Sequence, residues 1–140
     1  MITKKNMNER KKLINTILIL AVVGVLFVVA TVIGTGVKTE DNQLTIKALF
    51  FSETIEYSDI ASIELRTDID YGTRVVGSDF IGAKSGAFSN KEFGKYRCAI
   101  VSSQKDAIVV KKTDGSYVVF NTKNNDELNN ILNTVKSKMP

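Results

Sequence analysis

At 140 residues with one cysteine and no histidine, the chain has room for about one small domain. An internal disulfide, histidine-based triads and histidine-ligated zinc are excluded. The formal charge of +4 is unevenly held: Lys4, Lys5, Arg10, Lys11 and Lys12 stand against Glu9 ahead of residue 13, whereas after residue 37 there are 14 Lys and Arg against 14 Asp and Glu. The larger part is therefore neutral, and its balance gives no support for nucleic acid as a partner.

In chain order, a basic tail (1–12) comes first, followed by the uncharged run Leu13 to Val37, LINTILILAVVGVLFVVATVIGTGV. As a helix that run extends about 37 Å, enough to cross a hydrocarbon core of about 30 Å, so 13–37 is predicted to be a transmembrane helix. The cations lie before the run, whereas Lys38 is followed by Glu40 and Asp41. The asymmetry places the tail in the cytoplasm and residues 38–140 outside the cell membrane. A signal peptide cleaved after Gly36 is the competing reading. The apolar stretch exceeds the roughly 7 to 15 residues of a signal core, which favours a retained anchor. A cysteine-poor exported domain suggests a bacterial envelope.

From Leu44 the pattern changes to alternation. Leu44, Ile46 and Ala48 share one face of a strand, and a tight connection follows at Leu49 and Phe50. Phe51, Ile55 and Tyr57 then share a parity with Glu53. Ala61, Ile63 and Leu65 form the buried face of a third strand, with Tyr57 to Ile60 as the turn before it.

Asp68 to Gly94 holds five of the nine glycines and keeps no period, so a long loop is predicted, with at most one irregular strand. Two roles stand open for it. Its glycines serve bulges and turns while Tyr71, Phe80 and Phe88 fold back onto the core. Alternatively Tyr71, Arg74, Phe80, Lys84 and Phe88 together form the binding surface for a partner.

Strands follow at Tyr96 to Val101, Ala107 to Lys111 and Ser116 to Asn121, the last two joined by a hairpin at Thr113-Asp114-Gly115. A helix over 124–139 closes the chain. Asn124 is its cap, Leu128, Ile131, Leu132, Val135 and Met139 form its apolar stripe, and Lys136 and Lys138 suit its negative end. The fold class is α+β, mainly β: an apolar helix, then about six antiparallel strands in a small barrel or bent sandwich capped by a helix.

The succession LTIKALF, TIEYSDIASIELR, GSDFIGAKSGAFSNKEFGKY, AIVVKKTDGSYVVFNT and DELNNILNTV resembles the bacterial pleckstrin-homology-like (PH-like) domains over about residues 40 to 137. The resemblance implies a seven-stranded bent sandwich with a capping helix, often attached to a membrane span and mostly without assigned activity. Phosphoinositide-binding relatives carry several cations in the loop between their first two strands. Ala48 to Ser52 has none, with Lys47 alone beside it, so head-group binding by that route is not expected.

Other motifs point away from chemistry. In Gly77 to Ser85, Ala83 separates the second glycine from Lys84 and breaks the phosphate-loop spacing. Asp68, Asp70 and Gly72 match only the start of a calcium loop, which then lacks its twelfth-position Glu. Ser85 with Lys84, or Ser103 with Lys105, would be the dyads of a serine-lysine enzyme, the alternative reading. Cys98 shares a face with Tyr96 and Ile100 and is expected to be a packed, unreactive thiol. The leading expectation is a non-enzymatic binding or scaffolding module, with no cofactor or metal, docking a protein partner at the membrane while the bilayer holds Leu13 to Val37.

Overall fold

The computed structural model describes the backbone of residues 3–32, 36–49, 51–80 and 82–140, and their side chains except those of 30–32 and 80. The chain divides into two compact units, Met1–Ile33 and Gly34–Pro140. In the first, helix α1 (Lys4–Val32) runs through the basic residues as well as the apolar ones. It is long and apolar enough to cross a membrane, and its described side chains are exposed throughout.

The expected limit of the span is corrected at its far end. Gly36 and Val37 belong to β1 (Gly36–Thr39), which pairs with β2 (Gln43–Ala48) so that Val37 faces Ile46 and Thr39 faces Leu44. An apolar run does not by itself distinguish helix from strand, and here ladder pairing decides. The second unit accordingly begins before residue 38.

In this second unit, β2 also pairs with β3 (Phe51–Glu56), giving a three-stranded antiparallel sheet in the order β1-β2-β3. Phe50 of the expected connection lies outside the described residues. A 3-10 turn at Tyr57–Asp59 leads into β4 (Ile60–Arg66). Ile60 is thus in the strand and not in the turn. The register slips between Ile60 and Ser62, so Ile60 and Ile63 are buried while Ala61, expected inside, is exposed.

The remaining strands are β5 (Thr73–Phe80), β6 (Ala83–Asn90), β7 (Gly94–Val101), β8 (Ala107–Lys112) and β9 (Tyr117–Phe120), which join β4 in a second sheet ordered β4-β8-β9-β7-β6-β5. The predicted loop from Asp68 to Gly94 is therefore mostly a hairpin of two eight-residue strands. Gly77 and Gly86 sit opposite each other with φ of +121° and +119°. A Cβ on Gly77 would lie 2.1 Å from the Ser85 carbonyl oxygen, and one on Gly86 would lie 2.3 Å from that of Val76. Only glycine permits this approach, and the missing side chains erase the alternation that marks a strand. Two further expectations change. The described residues form nine strands, not six or seven, and β7 runs parallel to β9 from Arg97 opposite Val118 to Ala99 opposite Phe120.

Helix α2 (Asn125–Lys138) follows, with the Asn124 side chain accepting from the Asp126 N–H at 2.8 Å. Its buried stripe of Leu128, Ile131, Leu132 and Val135 packs chiefly against β4, β1 and β8. Burial of each such side chain is worth about 1.5 to 3 kcal/mol. The main core lies between the sheets and α2, from Leu44 and Ile46 to Ile108, Val110 and Phe120. A second cluster covers the opposite face of the larger sheet, with Phe88, Tyr96, Cys98, Val109 and Val119 beneath Ile69 and Phe93.

Gly77→Ala or Gly86→Ala is expected to destabilise the full-length protein by about 2 to 3 kcal/mol, read as a lower unfolding temperature in detergent. Gly82→Ala, at a turn where nothing lies within 4 Å of the added carbon, is expected to cost less.

Candidate functional site

Of the five residues expected to form one binding surface, the four whose side chains are described do not lie together in one exposed patch. Phe88 is fully buried in the second cluster, and its ring lies 6.4 Å from that of Tyr96. Tyr71 packs half-buried against the same cluster, and its carbonyl accepts from the Tyr96 hydroxyl at 2.7 Å. Lys84 pairs across the hairpin with Asp79 at 2.7 Å. Phe80 ends β5, and its side chain lies outside the described residues. Arg74 is exposed on β5 beside Val75 and Val76, which are 47% and 68% exposed.

β5 is an edge strand, yet its ladder is irregular. The register slips between Arg74 and Val76, and Gly77 follows with its positive φ. Both features oppose addition of a further strand. What β5 offers a partner is side chains: one cation and two neighbouring apolar groups.

A second feature had no sequence signal. A cavity of about 260 Å³ lies beside the main core, lined by Glu53 of β3, Lys95 and Arg97 of β7, Lys112 of β8, and Ser116 and Val118. Glu53 is its hub. One carboxylate oxygen accepts from Arg97 Nη1 at 2.6 Å and the other from Lys112 Nζ at 3.2 Å, with the Glu53 side chain 12% exposed. Arg97 also covers the Phe51 ring at 4.7 Å. Lys112 approaches Asp114 at 4.0 Å, while Lys95 is exposed and has no ion-pair partner among the described residues. The inward parity of Glu53 was visible beside Phe51 and Ile55. The convergence of Lys95, Arg97 and Lys112 was not, because it depends on which strands become neighbours.

The residues considered for catalysis are placed elsewhere. Ser85 is buried, but its hydroxyl donates to the Leu49 carbonyl at 2.5 Å, and Lys84 next to it turns to Asp79. Ser103 and Lys105 are both exposed. Asp70 accepts from the Gly72 N–H at 2.9 Å in a local turn, and the described residues contain no cluster of three metal-ligating side chains. The stretch from Gly77 to Ser85 runs in β5 and β6 on either side of the turn and has no helix after it.

Cys98 is fully buried, as its shared face with Tyr96 and Ile100 predicts. Burial pushes its thiol up to about 12; Lys84 lowers it slightly and Asp79 raises it. Burial, with a small contribution from Cys98, likewise pushes the Tyr71 hydroxyl up to about 12, and Tyr96 is raised chiefly by burial. All three are held neutral, which suits packing and not nucleophilic chemistry.

A family model described as a bacterial PH domain matches residues 35–136. Neither the curated proteins nor the solved structures gave a match.

The buried thiol and hydroxyls fix a direction for stability against pH. Their folded pKa values lie above the unfolded ones, so folded molecules keep protons that unfolded chains release. Unfolding free energy is expected to fall from about pH 9, where an ordinary thiol begins to ionise, toward about pH 12. Denaturant titrations across that range test this, and Cys98→Ala should move the onset toward pH 10, where Tyr71 and Tyr96 begin to contribute.

Proposed function

Because the chain belongs to the bacterial PH domain family, we propose that it is a membrane-anchored, non-enzymatic binding module that docks a protein partner at the membrane through the exposed side chains of β5. The observation that carries this reading is the Arg74, Val75, Val76 group. Two large apolar side chains stand open beside a cation with no ion-pair partner among the described residues, on a strand whose irregular ladder discourages simple sheet extension. Phe88 and Tyr71 support that strand from within the second cluster and take no direct part.

The anchor in this reading is α1, whose apolar stretch suits lipid and not a protein core. Its orientation rests on charge. Lys4, Lys5, Arg10, Lys11 and Lys12 precede the apolar stretch, so the amino terminus is cytoplasmic and the β domain extracytoplasmic.

Two experiments test this. With an epitope tag added at the amino terminus, protease applied to intact cells should cut the β domain and spare the tag; cutting only in inverted vesicles would reverse the orientation. A photo-crosslinker at Val76 should capture a discrete protein from intact membranes, and Arg74→Glu should weaken that capture by about tenfold with the unfolding temperature unchanged. Unchanged capture in Arg74→Glu and in Val75→Asp would rule out the β5 surface.

A further inference from the structure

We infer that the cavity between Glu53 and Lys95 is a binding site for a single carboxylate group presented by a peptide. The inference does not depend on β5 as a docking surface.

Three cations from two strands and one acid, Glu53, line this cavity, and a second acid, Asp114, lies outside the lining at 4.0 Å from Lys112. With all five ionised, the local charge is about +1. Such a balance favours a monoanion over a phosphate dianion. The chain itself illustrates the recognition, because the Glu53 carboxylate is held by Arg97 and Lys112 together. That contact engages one N–H of the Arg97 guanidinium, which presents five in a fixed fork. The Phe51 ring, 4.7 Å from the guanidinium carbon, restricts where that fork can move. Lys95 completes the site as the cation with no acid of its own among the described residues.

Size and lining narrow the ligand. About 260 Å³ admits one acidic side chain or one chain terminus, but not an extended polymer. Ala87 and Val118 supply apolar lining for a peptide's carbon atoms, while the rings of Tyr96 and Tyr117 pack in the second cluster behind it. Glu53 orders Arg97 and Lys112 before any ligand arrives, so less side-chain entropy is lost on binding. Its own charge keeps affinity low, on the order of 1 mM for an isolated carboxylate.

The source of the carboxylate is separated by three short fluorescent peptides of otherwise neutral sequence, titrated into the full-length protein in detergent. The first bears a Glu side chain and an amidated end, the second a free carboxyl terminus and no acid side chain, and the third is amidated and uncharged. Saturable binding of the first or the second, with the uncharged peptide at least tenfold weaker, is the expected result, and the tighter of the two identifies the source. Lys95→Gln should weaken binding at least fivefold while leaving the unfolding temperature unchanged, and Lys47→Gln, outside the cavity, should leave binding as it is. The inference is overturned if neither acidic peptide binds, if the uncharged peptide binds equally, if Lys95→Gln has no effect, or if inorganic phosphate binds more tightly than either acidic peptide.

Discussion

The centre of the larger sheet is buried on both faces, and most of the domain follows from that constraint. Residues of either parity along β7, β8 and β9 must be apolar, which is why Ala107 to Val110 and Val118 to Phe120 are unbroken apolar runs. Ala99, Ile108, Val110, Val118 and Phe120 face the first core, while Cys98, Ile100, Val109 and Val119 face the second. Polar groups are left to the ends of these strands. At one end Lys95, Arg97, Lys112 and Ser116 collect around Glu53. At the other, buried Asn121 accepts from the Val101 N–H at 2.6 Å and donates to the carbonyls of Val101, Gln104 and Asp106, closing the turn between β7 and β8.

Sequence reading succeeded where local rules and tertiary demands coincide. Helix α2 combines a cap, a stripe at helical spacing and cations in its last turn, so tertiary packing only confirms what its residues already favour. Asp114 and Gly115 make the β8–β9 hairpin, with Gly115 at φ +87° and Asp114 accepting from the Ser116 N–H at 2.9 Å. Cys98 was legible because Tyr96 and Ile100 lie two residues away on either side. The failures share a different cause. Alternation vanishes wherever a bulge or a glycine enters, as at Ala61, Val75, Gly77 and Gly86. Phe88 therefore read as belonging to a loop and not to a strand, although the reading in which it folds back onto the core holds, since it is among the most deeply buried residues. Neighbours distant in sequence, such as Glu53 and Arg97, leave no local trace at all.

The Gly77–Gly86 contact has consequences beyond the hairpin. A regular eight-residue edge strand would expose a row of backbone donors and acceptors ready to pair with any extended chain. The slip at Val75 and the turn of the backbone at Gly77 interrupt that row, so β5 keeps length without being a general template. Lys84 and Asp79 hold the two strands together beyond the glycines. The same distortions that removed the alternating pattern of the strand leave β5 presenting side chains more than a continuous backbone edge.

Affinity and location are also linked. In the proposed reading, a domain tethered by a membrane helix meets partners confined to the same surface, so effective concentration replaces much of the binding energy that a freely diffusing module must supply. For such a module, the proposed carboxylate site, weakened by its own Glu53, is an advantage and not a defect. Arg97 and Lys112 stay ordered, solvent anions compete poorly at a local charge near +1, and release remains fast. A domain whose 14 cations and 14 acids cancel overall can thus be selective, because the small excess that matters is gathered at one wall of one cavity.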